Sequence, residues 1–258
     1  GIVACGDKVL KFQEQGYMGA PAGDVCVFYG LTGKLPQVFA DYRANHRAVY
    51  VDLGYWGRRE GGRWAGYHKI VVDSRHPTEY FQRREHYRSR VERFHVEPWP
   101  WRKKGGGHIL LAGMGDKGAR AEGYEPEGFE RAAIAEIRRH STRQIIYRPK
   151  PSWKRAKPIV GVGYSPASQE TGAALKGAWA VVTHHSNVAV DGLLQGIPAF
   201  CWQGVAAPLS SQDLTKIETP VYPDGREQWT ADIAWCQWSI AEMKAGLPWL
   251  HLKSEGLI

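Results

Sequence analysis

The residues best suited to chemistry lie in one run, Trp179–Phe200, reading WAVVTHHSNVAVDGLLQGIPAF. Its apolar stretch predicts a strand ending at Thr183, then a polar turn of His184, His185, Ser186 and Asn187, then a helix from about Val188. A helix entrance presents N–H groups without partners in the helix and a partial positive charge, so a phosphate suits it. Ser186 or Asn187 can cap the helix while offering a hydroxyl or amide to an anion, and His185 can donate from the same turn. Asp191, four residues after Asn187, shares its helical face and can accept bonds from ribose hydroxyls. The plainer alternative is a Ser-Asn pair that only caps, with Asp191 facing water.

Other groups belong to the same chemistry. Arg148 and Lys150, in QIIYRPKP, follow a predicted strand and can meet phosphate as cations. Gly113 and Gly115, in LLAGMGDKG, allow a ligand close to the backbone, although the run fits neither G-x-x-x-x-G-K-[ST] nor G-x-G-x-x-G. In the first half, Val49–Lys69 leaves a strand into a loop dense in Gly, Arg and aromatic residues. There Asp52, Glu60, His68 and Asp73 are candidates for a general base, and Tyr55, Trp56, Arg58 and Arg59 for acceptor contacts. Asp7, after Ile2–Cys5, is a further candidate base. Each carboxylate has a simpler role open to it, as a cap or ion-pair partner.

The elements that must position these groups are short. Apolar runs at Ile2–Cys5, Asp24–Phe28, Ala48–Leu53 and Lys69–Val72 read as strands of a parallel sheet, since no Asn-Gly or Asp-Gly turn joins two of them. Leu35–Asn45 reads as a helix with Pro36 in its first turn. Glu97–Gly107, EPWPWRKKGGG, breaks the pattern. Beyond it His108–Ala112, Gln144–Tyr147, Ile159–Val162, Trp179–Thr183 and Ala199–Trp202 read as strands, with helices at Glu127–His140 and Asn187–Gln195. Trp229, Ile233, Cys236, Ile240 and Met243 then form one apolar helical stripe. The expected domains are 1–104, 105–225 and a C-terminal helix, 226–258, packing back on the first.

A chain of 258 residues with 43% hydrophobic and 23% charged residues is that of a globular protein. No apolar run spans a bilayer and no signal-peptide pattern is present, so the expected compartment is the cytoplasm. The four cysteines form no CxxC pair and read as buried thiols. The formal charge of +8 owes much to Arg83–Arg93 and Arg102–Lys104, beside Tyr87, Trp99 and Trp101, a mixture that suits a polyanion or a solvated basic helix. No Asp-x-Asp, G-x-S-x-G or H-E-x-x-H occurs.

The run from Ser186 resembles the donor-binding motif of GT-B fold glycosyltransferases, S-N-x-x-x-D-x-x-x-x-G-x-P, on Ser186, Asn187, Asp191, Gly196 and Pro198. Many of those enzymes have Glu where Asp191 stands. QIIYRPKP is similar to the strand and loop that end in Arg-Pro-His-Pro in capsule-polysaccharide transferases and bacterial sialyltransferases, with Lys150 in place of the histidine. The likeness also reaches phage-encoded glycosyltransferases. It implies an α/β fold of two Rossmann-like lobes (GT-B type) with an interdomain cleft and a C-terminal helix crossing back. It also implies a nucleotide-sugar donor of unspecified nucleotide, no metal, and transfer to a hydroxyl acceptor. The basic charge points to DNA as acceptor, for instance a flipped hydroxymethylated pyrimidine, and the capsule likeness to a surface glycan. A non-catalytic nucleic-acid-binding protein on the same fold is the third reading.

Overall fold

The computed structural model describes residues 1–57, 66–77 and 87–258. The chain divides into two compact units, residues 1–95 with 231–258, and residues 96–230.

In the first unit, Val25–Tyr29 (β1), Arg47–Leu53 (β2), His68–Val72 (β3) and the late pair Gln237–Trp238 (β9) make a sheet in the order β1-β2-β3-β9. Helix Leu35–Asn45 (α1), with Pro36 in its first turn, links β1 to its parallel neighbour β2 and buries Val38 and Tyr42. The remaining pairs are antiparallel, which corrects the parallel sheet expected for this half. The cause lies past the strand ends. The Gly54 N–H donates to the Tyr67 carbonyl and the Tyr67 N–H to that of Gly57, so β2 and β3 keep pairing as a hairpin does. Ile2–Cys5 is not a strand either. Val3–Cys5 forms a 3-10 turn closed by Gly6 at φ 87°, because apolar residues without a strand to pair with have no ladder to join.

The second unit is doubly wound. Its elements are His108–Ala112 (β4), Asp116–Ala121 (α2), Gly128–His140 (α3), Gln144–Arg148 (β5), Gly163–Tyr164 (β6), Thr171–Leu175 (α4), Ala178–Thr183 (β7), Val188–Leu194 (α5) and Ala199–Cys201 (β8). Every pairing in the order β6-β5-β4-β7-β8 is parallel. Burial on both faces explains the apolar strands: Ile109, Leu110, Leu111, Ala180, Val181 and Val182 are all fully buried. Each such Ile, Leu or Val contributes about 1.5–3 kcal/mol relative to exposure. The expected strand at Ile159–Val162 forms one step later, at Gly163–Tyr164.

Glu97–Gly107 is built into this unit. The Trp99 N–H donates to the Leu194 carbonyl, the Arg102 N–H to that of Gly196, and the Arg226 guanidinium lies 3.7 Å from the Trp101 ring centre. Trp101 is therefore covered by its own chain, while Trp99 stays exposed.

The chain returns to the first unit through residues 231–258. The stripe from Trp229 to Met243 is not one helix. Helix Arg226–Trp235 (α6) stops, β9 follows, and Ile240–Ala245 (α7) begins afresh, then Leu247–Ser254 (α8). Ser239 and Glu242 form a reciprocal capping box at that new start.

Candidate functional site

The order β6-β5-β4-β7-β8 runs outward in two directions from β4 and β7, so the chain leaves their carboxyl ends toward opposite faces of the sheet. Such a switch point is where open parallel sheets hold ligands. Two predicted segments border it. Gly113–Gly115 follows β4, and His184–Asn187 follows β7. At their root the Thr183 hydroxyl donates to the Ala112 carbonyl at 2.7 Å and accepts from the Ser186 N–H at 3.3 Å.

The turn after β7 is held from beneath. The His184 carbonyl accepts the N–H groups of Trp202 and Gln203 at 3.1 and 2.8 Å, and the His184 ring is buried edge-on to Phe129 and Tyr124. His184 and His185 bring their Nδ1 atoms within 2.9 Å, an arrangement in which one ring donates and the other accepts. His185, Ser186, Asn187 and Asp191 remain half-buried and thus partly open to solvent. The Ser186 hydroxyl accepts from the Val188 N–H at 3.3 Å, whereas Asn187 makes no side-chain cap. Helix α5 places Asp191 one turn beyond Asn187, and its N–H donates to the Asn187 carbonyl.

Two glycines of this run have packing roles. A Cβ on Gly192 would lie 2.8 Å from Val181 Cγ2, so its absence lets α5 sit close on β7. Gly196, at φ 73°, has the Pro100 carbonyl where a Cβ would go. The Gly-x-Pro end of the motif thus lets the Trp99–Trp101 segment cross.

After β5, Arg148 and Lys150 part company. Arg148 is buried and its guanidinium donates to the Ser165 hydroxyl and the Pro166 and Gln169 carbonyls at 3.0, 3.0 and 2.6 Å. Its charge is committed to folding the Ser165–Gln169 loop. Lys150 is exposed, and its Cβ and Cδ lie 3.4 Å from where a Gly115 Cβ would stand. Its stem therefore crosses the glycine loop while its ammonium stays in water.

Sequence reasoning missed the support of that loop. Glu130, near the start of α3, and Tyr147, in β5, are fully buried beneath Gly113. Glu130 Oε1 accepts the Met114 N–H at 2.8 Å. Burial raises the Glu130 carboxyl above its ordinary value, against bonds from the backbone of Met114 and of Glu130 that pull it down. Nothing in FERAAIAEI marks this glutamate, because the pattern of an amphipathic helix assigns charges to water. Cys201 is buried beside the site, its thiol pushed up to about 12 by burial, so it is inert.

Of the first-unit candidates, Asp52 and His68 stand on the paired strands β2 and β3. Asp52 is half-buried, accepting from the Tyr50 hydroxyl at 2.7 Å and the Leu53 N–H at 2.8 Å. His68 is buried against Tyr29, with no partner for Nδ1 among the described residues. Asp7 is taken up by Lys253 and Trp249 of α8, whose hydrogen bonds hold its carboxyl below the usual range, which suits a base poorly. Asp73 joins Arg47 and the Ala48 N–H, a structural pairing. Tyr55 and Trp56 are buried, their N–H groups on the Gln237 side chain, so neither ring is displayed to an acceptor. Glu60, Arg58 and Arg59 lie outside the described residues. Among the described residues no group of three His, Cys, Asp or Glu side chains converges as a metal site, and no helix is long and apolar enough to cross a membrane.

No family model matches the chain, and no curated protein matches it. Solved structures do. One is the beta Kdo 2,7 transferase of KpsC from Thermosulfurimonas dismutans, at 14% identity over 89% of this chain and 85% of that one, with a TM-score of 0.54. Another is the beta Kdo 2,4 transferase of KpsC from the same organism, at 12% identity over 80% and 78%, with a TM-score of 0.48. The first of these likenesses shows a shared α/β fold.

Proposed function

We propose that this protein is a glycosyltransferase whose nucleotide-sugar donor binds the second unit at the carboxyl ends of β4 and β7. The observation that carries the reading is the strand order, which sets Gly113–Gly115 and His185–Asn187 on either side of one switch point with Asp191 a turn further on. The fold shared with a Kdo transferase supports it. His185, Ser186 and Lys150 face the phosphate and Asp191 the ribose. In the reaction the bond from the anomeric carbon to the nucleotide oxygen breaks, the nucleotide leaves as an anion, and an acceptor hydroxyl oxygen takes its place. Positively polarised donors around the departing phosphate stabilise the developing charge. The acceptor hydroxyl gives up its proton to a general base as the new bond forms.

A surface glycan is the acceptor favoured by the resemblance of the Arg148–Pro151 run to capsule-polysaccharide transferases. The charge of +8 favours hydroxymethylated DNA as the second reading. Thermal-shift screening with CMP-, UDP-, GDP- and TDP-sugars tests the donor, followed by transfer assays on glycan and hydroxymethylated-DNA acceptors. One sugar nucleotide is expected to raise the midpoint, and Asp191→Ala and Ser186→Ala to abolish the rise. Salt-sensitive DNA binding without any nucleotide-sugar shift would establish the non-catalytic reading instead.

A further inference from the structure

Beneath the loop that follows β4 lie two buried polar side chains whose hydrogen-bonding capacity is only half used. Glu130 and Tyr147 are both 0% exposed. Glu130 Oε1 accepts the Met114 N–H, while Glu130 Oε2 and the Tyr147 hydroxyl have no partner among the described residues. Leaving such groups unsatisfied costs about 1–3 kcal/mol each, so a merely structural position would favour apolar residues. Both press on one point. A Cβ on Gly113 would stand 2.8 Å from Glu130 Oε1, 2.9 Å from Tyr147 Cε2 and 3.2 Å from the Tyr147 oxygen. The glycine, the acid and the phenol thus form one fitted set, with the Gly113 N–H also held by the Arg148 carbonyl. The backbone leaves this set at Met114 and reaches Gly115, whose φ of 78° turns the chain into α2 and whose Cα lies under the Lys150 stem.

We propose that Glu130 is a positioning residue for donor binding: through the Met114 N–H, and backed by Tyr147, it fixes the Gly113–Gly115 loop in the conformation that the donor requires. This rests on the donor reading above. Glu130 touches no substrate. Its effect passes through one backbone amide, so the role needs an acceptor oxygen at this position and not a negative charge. Burial raises the value of this carboxyl, against the backbone bonds that lower it.

The test compares wild type with Glu130→Gln, Glu130→Leu and Tyr147→Phe. Amide exchange at Met114, referenced to Ile109 in β4, reads the contact, and titration with the sugar nucleotide that most stabilises wild type reads its consequence. Glu130→Leu is expected to speed Met114 exchange and weaken donor binding by about tenfold, the worth of one buried hydrogen bond, while Ile109 exchange holds. Glu130→Gln keeps an acceptor and is expected to restore both readings to within about threefold of wild type. Should Glu130→Leu fail to fold, Glu130→Gln decides: loss of Met114 protection or of donor affinity in that variant overturns the proposal. Equal weakening by Gln and Leu, or unchanged Met114 exchange in Leu, overturns it too. If wild type binds no sugar nucleotide, the donor reading is what fails, and the exchange arms still decide whether Glu130 holds the loop.

Discussion

Two buried glutamates, one in each unit, show how differently the units use charge. Glu242 in the first unit meets Arg90 through two bonds at 2.8 and 3.0 Å, and Arg90 also donates to the Ala234 and Gln237 carbonyls and stacks 3.9 Å over Trp238. Burial pushes the Glu242 carboxyl up, but the bonds from Arg90 and Ser239 outweigh it and hold the group below its ordinary value. Glu130 in the second unit is met by backbone N–H groups and, among the described residues, not by a cation, and there burial wins. The first arrangement is a lock, in which every charge is spent on joining Arg88–Phe94 to the C-terminal elements. The second supports a loop at the edge of an apolar parallel sheet and leaves hydrogen-bonding capacity unused.

The largest expected effect breaks the lock. Arg90→Ala leaves the Glu242 carboxylate with only its bonds from Arg93 and Ser239, uncovers Trp238, and should cost about 3 kcal/mol in urea unfolding. A loss below about 1 kcal/mol would mean that the pair contributes no more than an exposed one. Next comes the fitted set of the second unit. Gly113→Ala drives a methyl into Glu130 and Tyr147 and should cost about 1–3 kcal/mol by the same measurement.

The acid–base contrast sharpens the comparison. The Glu242 value is lowered in the folded state, so its contribution is complete above the ordinary 4.5 and lost as the pH falls through the folded value. The Glu130 value is raised, so its contribution is complete below 4.5 and lost as the pH rises through the folded value. Stability measured against pH should therefore lose part of its acid-side slope in Glu242→Gln and part of its neutral-side decline in Glu130→Gln. Identical profiles for the two variants would dissolve the distinction.

Comparable to the glycine effect is the difference between two neighbouring cations. Arg148→Met should destabilise by about 1.5–3 kcal/mol, since three acceptors lose a charged donor. Lys150→Met should change stability by less than about 0.5 kcal/mol while weakening donor binding. The smallest effect belongs to the exposed pair of Arg131 with Glu127, where Arg131→Ala should cost about 0.3–0.5 kcal/mol.

The second unit was legible because its strands are continuous apolar runs bounded by polar turns. Trp179–Thr183 and the helix after it lie within a residue of their expected places. The first unit was harder, since its strands carry His68, Lys69 and Gln237 inward and their pairing is fixed by contacts far apart in the chain. The apolar spacing of Trp229 through Met243 continued across the end of α6 because β9 buries consecutive residues. Ser239-Ile240-Ala241-Glu242 was a readable sign of the restart. Of the site, the turn His185–Asn187 and the glycine loop were visible as residue types at strand ends. Arg148 and Lys150 looked equivalent in sequence and differ only through the Ser165–Gln169 loop, whereas Glu130 depends on a contact 16 residues away.

The most direct measurement is the position of a nucleotide sugar soaked into crystals of this protein. Its phosphate is expected within about 3 Å of donors from His185–Asn187 or Gly113–Gly115, with the ribose toward Asp191. A nucleotide found elsewhere, with those two segments closed against other side chains, would contradict the account.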